Sequence, residues 1–264
     1  MRAAWRRRRR DRSAEFDAGR GGLRADGRDP EGLRPVQIEP DFTESPLGCV
    51  LCRVGRTLVL CTVSVEESVP RFLAGSGRGW ITAEYSMLPG ATEPRCERDA
   101  SRVRPSGRTL EIQRLIGRSL RAVADLERLG ERTCYVDCDV LQADGGTRCA
   151  SITGGYAALA IALGRLARRG VIDEVPLRDS VSAVSVGLVD GDVILDLAYE
   201  EDARAAVDLN VVATSRGQLV EVQGTGEEAT FSAQQLSEMT ALALRAVAEL
   251  TQRQNEAIAA AREA

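Results

Sequence analysis

Residues 133–168 read TCYVDCDVLQ, ADGG, TRCASITGGYAALAIALGRLAR, and how this stretch divides decides the fold. Thr133 to Gln142 reads as a strand. From about Ser151 to Arg168 the text is helical, with Ile152, Tyr156, Leu159, Leu163 and Leu166 on one face. A sharp Gly-rich turn joins the two. Working outward, the same grammar recurs. Pro35 to Glu39 alternates, and Gly48 to Val54 and Thr57 to Val65 are β-rich runs around Gly55-Arg56, a hairpin signal. Trp80 to Leu88 is a further strand candidate. Leu110 to Leu126 places Ile112, Leu115, Ile116, Leu120, Val123 and Leu126 at helical spacing, with Arg114, Arg118 and Arg121 on another face. The second half offers Val181 to Val189, Val193 to Leu197, Leu209 to Ala213 and Leu219 to Gln223 as strands. A long helix opens after Ser232, a plausible N-cap. Strands followed by helix, twice over, predict a pseudo-duplicated α+β body rather than a strict Rossmann sheet.

The composition excludes much chemistry. All 35 basic residues are Arg, and there is no Lys and no His. Catalysis by a Ser-His-Asp or Cys-His pair is therefore impossible, as is a pyridoxal Schiff base or a P-loop lysine. Acid-base and phosphate chemistry must come from Asp, Glu, Arg, hydroxyls, amides, Cys or a metal. Met1 to Leu23 hold eight Arg and three acids with little apolar pattern, and read as a disordered Arg-rich extension. The remaining 24–264 read as a single body carrying about nine negative charges. Such a body does not bind nucleic acid by bulk charge and would need a local Arg cluster or a metal. The longest apolar run, Tyr156 to Leu163, is too short to span a bilayer, so no membrane partner is expected. Seven Cys in apolar patterns read as reduced packing residues of a cytoplasmic protein. Cys49 and Cys52 form a lone C-x-x-C, with a redox pair as the weaker reading.

Four segments carry candidate chemistry. In Ala143-Asp144-Gly145-Gly146-Thr147-Arg148 the glycines permit close backbone approach, Thr147 is placed to cap the following helix, and Arg148 adds a planar fork for phosphate. Ser106-Gly107-Arg108-Thr109 repeats that arrangement, and Arg108 at a helix start calls for an anionic partner. Asp196, Asp202 and Asp208 mark a strand end, a connector and the next strand start. Carboxylates so placed can share one Mg²⁺ or raise one another's pKa for acid catalysis. Arg95, Arg98, Arg102 and Arg104 form a basic, Pro-bounded loop suited to an RNA backbone.

The motifs Gly79-Trp80-Ile81-Thr82-Ala83-Glu84-Tyr85, Arg108-Thr109-Leu110-Glu111-Ile112-Gln113-Arg114-Leu115-Ile116, Asp137 to Arg148 and Glu221-Val222-Gln223-Gly224-Thr225 together resemble the bacterial ribonuclease PH family, over nearly the whole body from Arg24. The resemblance implies a duplicated α+β fold and a hexameric ring built as a trimer of dimers. It implies phosphorolysis, in which inorganic phosphate attacks the 3′-terminal phosphodiester of RNA and releases a nucleoside diphosphate. The implied substrate is a tRNA precursor with extra nucleotides after its CCA end, with no role for DNA. The resemblance places the phosphate site on Arg108, Gly146, Thr147 and Arg148, the essential carboxylates on Asp202 and Asp208, and the tRNA-gripping arginines on Arg95 and Arg98. It makes Mg²⁺ on Asp202 and Asp208 the expected cofactor, with general acid catalysis by that pair as the other role. The family often carries Arg directly after a Leu-Pro where this chain has Gly90. Ring assemblies of this fold also contain catalytically silent subunits, the alternative reading. Those are expected to lack the phosphate-site Arg or the paired Asp.

Overall fold

The computed structural model describes residues 24–98, 105–227 and 229–261. Strands β1 (Val36–Pro40), β2 (Gly48–Val54) and β3 (Thr57–Glu66) form an antiparallel meander. β4 (Trp80–Met87) does not pair with β3. The chain crosses over through helix α1 (Gly107–Val123), so that β5 (Thr133–Gln142) slots between them, antiparallel to β3 and parallel to β4. A parallel pair needs such a crossover, because a tight turn cannot bring the chain back in the same direction. The first sheet therefore runs β1-β2-β3-β5-β4. The second is wholly antiparallel, β7-β6-β8-β9, from β6 (Val181–Val189), β7 (Asp192–Leu195), β8 (Val207–Thr214) and β9 (Leu219–Gly226). The sheet-plus-helix unit thus occurs twice, in a mixed α+β body. Only the first copy contains a βαβ crossover.

Two helices organise the interior. α3 (Thr147–Arg168) packs on β2, β3 and β5 from one side and on β6 from the other, and α5 (Ala233–Ala260) lies against β6, β1 and α3. α3 is long and apolar enough to cross a membrane by length and composition. Its apolar surface is instead buried between the two sheets. Each large aliphatic side chain buried there contributes about 1.5–3 kcal/mol relative to exposure. Close approach depends on Gly154, where an added Cβ would stand 2.7 Å from the Cys52 Cβ and 2.9 Å from the Cys61 Sγ.

Two helix boundaries are corrected, and the weaker of the two readings of Cys49 and Cys52 is set aside. α3 starts at Thr147, a full turn before Ser151, because Gly146 already sits in the left-handed conformation (φ 65°) and turns the chain into the helix. α1 ends at Val123 rather than Leu126. Ala124 is extended, and Asp125 caps a separate short helix, α2 (Leu126–Leu129), accepting hydrogen bonds from the Glu127 and Arg128 amides. Cys49 and Cys52 cannot form a redox pair. They lie three residues apart on one strand and so face opposite ways, Cys49 against the Thr43 hydroxyl and Cys52 against α3.

Candidate active site

Two helix starts, one helix end and one strand pair build the cleft. At α1, the Ser106 hydroxyl accepts from the Thr109 amide at 3.0 Å, and Arg108 follows as the second helical residue, exposed. At α3, Gly146 is the N-cap and offers no side-chain cap. Thr147 does not cap the helix as its position suggested. It is the first helical residue, it is buried, and its hydroxyl pairs with the Tyr85 hydroxyl at 2.9 Å. Arg148 is next, and its side chain, 14% exposed, lines the cleft.

The acids arrive from the second half. Asp202 ends the single-turn helix α4 (Tyr199–Asp202), and Asp208 is the second residue of β8. Arg108, Arg148, Asp202 and Asp208 line one cleft of about 270 Å³, which Asn210, Gln223 and Glu227 complete. The crowding of protein around Asp202 pushes its carboxyl up, against the pull of Arg108 and Arg148. Asp208 is pushed up to about 6, first by burial and then by the neighbouring Asp202, while Arg148 and Asn210 pull it down. Asp196 does not join them. It is buried, and its carboxylate is 2.7 Å from the Arg34 guanidinium.

Several supporting residues join the site beyond those expected from the sequence. Arg148 donates to the Gln223 side-chain carbonyl and lies 3.6 Å from the Glu111 carboxylate. Glu111 is one helical turn beyond Arg108, so its place beside the site was legible from i,i+3 spacing. The Asn210 amide donates to Asp208 at 3.3 Å, and its carbonyl accepts from the Cys149 thiol at 3.4 Å. Asn210 stands two residues from Asp208 on the same strand face, a period-2 signal. Gln223 reaches the site only through the pairing of β9 with β8, which no local pattern reveals. Gly146 and Thr147 contribute no side chain to the cleft, so only their backbone can serve an anion there. Arg95 and Arg98 are exposed and do not line the cleft. Arg98 lies near Asp139, whose carboxyl is pushed up by burial and partly drawn back by that arginine. Arg102 and Arg104 lie outside the described residues.

Among the described residues no group of three or more His, Cys, Asp or Glu converges on a metal position. Asp202 and Asp208 nevertheless suit Mg²⁺. They are hard oxygen donors held close enough to raise Asp208, and Mg²⁺ binds through one or two carboxylates while water and substrate phosphates fill its other positions.

The comparisons with known proteins follow the same division of the chain. The 3′ exoribonuclease family, domain 1, matches residues 32–163, and domain 2 of that family matches 179–246. Ribonuclease PH of Bacillus subtilis is 54% identical over 237 residues, covering 89% of this chain and 97% of that protein. Ribonuclease PH of Crocosphaera subtropica is 55% identical over 238 residues, covering 90% and 98%. Among solved structures, an RNA-bound exosome of Archaeoglobus fulgidus superposes with a TM-score of 0.74 at 23% identity, over 88% of this chain and 92% of that one. Rice Rrp46 superposes with 0.72 at 21% identity, over 89% and 100%. These two likenesses show the fold. With both family domains matched in order and more than half of the residues identical over nine-tenths of its length, the chain belongs to the 3′ exoribonuclease family, alongside the bacterial ribonuclease PH proteins.

Proposed function

We propose that this protein is a phosphate-dependent 3′-5′ exoribonuclease that trims extra nucleotides from the 3′ ends of precursor tRNA and releases nucleoside diphosphates. One observation carries the reading: two arginines from the first half face two carboxylates from the second across a single cleft. Guanidinium forks match phosphate oxygens, and paired acids suit the other end of a phosphoryl transfer. The catalytically silent alternative is disfavoured because both arginines and both acids are present.

Arg108 and Arg148 hold inorganic phosphate, with the amides at the start of α3 behind it. Held in line, an oxygen of that phosphate attacks the terminal phosphodiester. The bond to the 3′ oxygen breaks, the shortened RNA keeps a 3′ hydroxyl, and the nucleotide leaves as its diphosphate. Most of the barrier reduction comes from orientation and charge, since phosphate is already a nucleophile and no His base is required. Asp202 and Asp208 would hold Mg²⁺, which when bound supplies positive charge beside the departing 3′ oxygen. A second role for Asp208 has its own observation: a carboxyl pushed up to about 6 keeps a protonated fraction near neutrality and can donate to that oxygen. A chelator separates the two, because metal removal abolishes activity only in the first case. Arg95 and Arg98 grip the tRNA body away from the cleft. The working form is a ring of six in the cytoplasm.

The test uses RNA with a CCA tail plus extra nucleotides, with and without phosphate. Nucleoside diphosphates should appear only with phosphate. Equal cleavage in phosphate-free buffer, with monophosphate products, would sink the reading.

A further inference from the structure

Arg148 stands at the start of α3 and Asp202 at the end of α4, elements from opposite halves of the chain. Between the segments that carry them lies Arg34, only 4% exposed and outside the cleft. Its backbone amide and Nε both donate to Asp196 Oδ2, at 2.8 and 2.9 Å, and its Nη2 donates to Oδ1 at 2.7 Å. Its Nη1 donates to the Asp144 carbonyl at 2.5 Å. One guanidinium is thus bonded at once to the Gly-rich turn that leads to Arg148 and to the residue that leads into α4.

The fit leaves no slack. A Cβ at Gly146 would stand 2.9 Å from Arg34 Nη2, and one at Gly145 would stand 2.6 Å from the Leu197 carbonyl. Turn, guanidinium and loop therefore touch directly. Asp196 itself has φ 52°, a conformation that non-glycine residues adopt at a cost and keep only when their surroundings hold it. On its far side Arg24 completes the brace. It donates to the Leu195 and Asp196 carbonyls at 2.6 and 2.9 Å and, through Nε at 2.7 Å, to Glu201, the residue before Asp202.

We propose that Arg34 is a positioning residue for phosphorolysis, fixing the phosphate turn relative to the Asp202 helix through Asp144 and Asp196 rather than by touching substrate. The inference rests on the phosphorolytic reading of the cleft. A loosened turn would misplace Arg148, and misplacement costs rate even when every reacting group is present.

Arg34→Lys tests this, because a single ammonium can pair with Asp196 but cannot also reach Asp144 with a planar fork. Thermal unfolding, kcat and both KM values are measured per folded active site. The expected result is a folded enzyme with the phosphate KM raised on the order of tenfold, kcat lowered, and the RNA KM within about twofold of wild type. A folded variant with wild-type phosphate KM and kcat overturns the proposal. So does a parallel change in both KM values. A purely structural brace would lower the folded fraction alone. If Arg34→Lys does not fold, Asp196→Asn weakens the same link from the other side and must show the same split. If neither folds, the pair holds the fold and the positioning role is discarded. Absence of phosphate-dependent release by the wild type in the same assay refutes the functional reading instead.

Discussion

Arg108 and Arg148 differ in how they are held, and the difference predicts what each tolerates. Arg148 is fixed by Gln223 and by the nearby Glu111, whereas Arg108 stands exposed at the rim of the cleft. Arg108 is therefore the better probe of fork geometry, since its exposed side chain is less tightly held. Lys keeps the charge but offers a point donor in place of two parallel N–H groups. Arg108→Lys should raise the phosphate KM and lower turnover, leaving the RNA KM little changed. Loss of one charge-assisted hydrogen bond is worth roughly 1.5–3 kcal/mol, so kcat/KM for phosphate should fall about 10- to 100-fold. Titrating each substrate at saturating levels of the other checks this. A defect confined to the RNA KM would move Arg108 from the phosphate site to the RNA path.

Among the elements, the connection into β6 is tied to the β8–β9 turn by one carboxylate. Asp179 accepts from the Ser180 amide at 2.8 Å, from the Ser215 hydroxyl and from Arg216 Nε at 2.7 Å. Burial pulls its carboxyl upward, but these donors outweigh that and hold it down at about 2. An unfolded Asp titrates near ~3.9, so the depressed group stabilises the fold above that pH and loses its contribution as pH falls through about 2. The Asp179 side chain is 7% exposed but its Arg216 partner is 69% exposed, so solvent screening trims the contribution to about 1–2 kcal/mol. Asp179→Asn should lower stability at pH 7 by that amount. Roughly half of the difference should remain at pH 3. Denaturant unfolding of both proteins at the two pH values measures it, and a deficit that does not shrink at pH 3 would refute the assignment.

At the scale of the whole molecule, the outer face of the first sheet carries a group of acids. Glu84, Asp137 and Asp139 lie there, each with its carboxyl pushed up by burial, and Glu84 accepts from Gln113. The proposed ring places six chains of 28.4 kDa in one particle. Light scattering at micromolar concentration should give roughly six times the chain mass. A monomer would refute the ring. The acidic balance of the body also gives phosphate contacts a local character. On the proposed reading, RNA is gripped by discrete arginines such as Arg95 and Arg98, and affinity should weaken with salt.

The sequence by itself determined the main strands and helices, the two-part body and the two arginine-bearing helix starts, while it offered Asp196, Asp202 and Asp208 alike and only the family resemblance singled out the last two. Each of those signals is local: a hairpin turn at Gly55-Arg56, helical spacing after Arg108, a Gly-rich turn before Arg148, acids at the ends of consecutive elements. Local patterns also misled where two structures share a composition. Thr147 has the chemistry of a cap but a left-handed glycine took that role, and Asp196 has the chemistry of Asp202 and Asp208 but was drawn into the interior. Only the tertiary structure decided these, together with the brace of Arg24 and Arg34 on the second half. The physical reason is partner distance. A buried guanidinium must be matched by a carboxylate or carbonyl, but nothing in a linear pattern says which one, and here the matching groups lie 162 and 177 positions further along the chain.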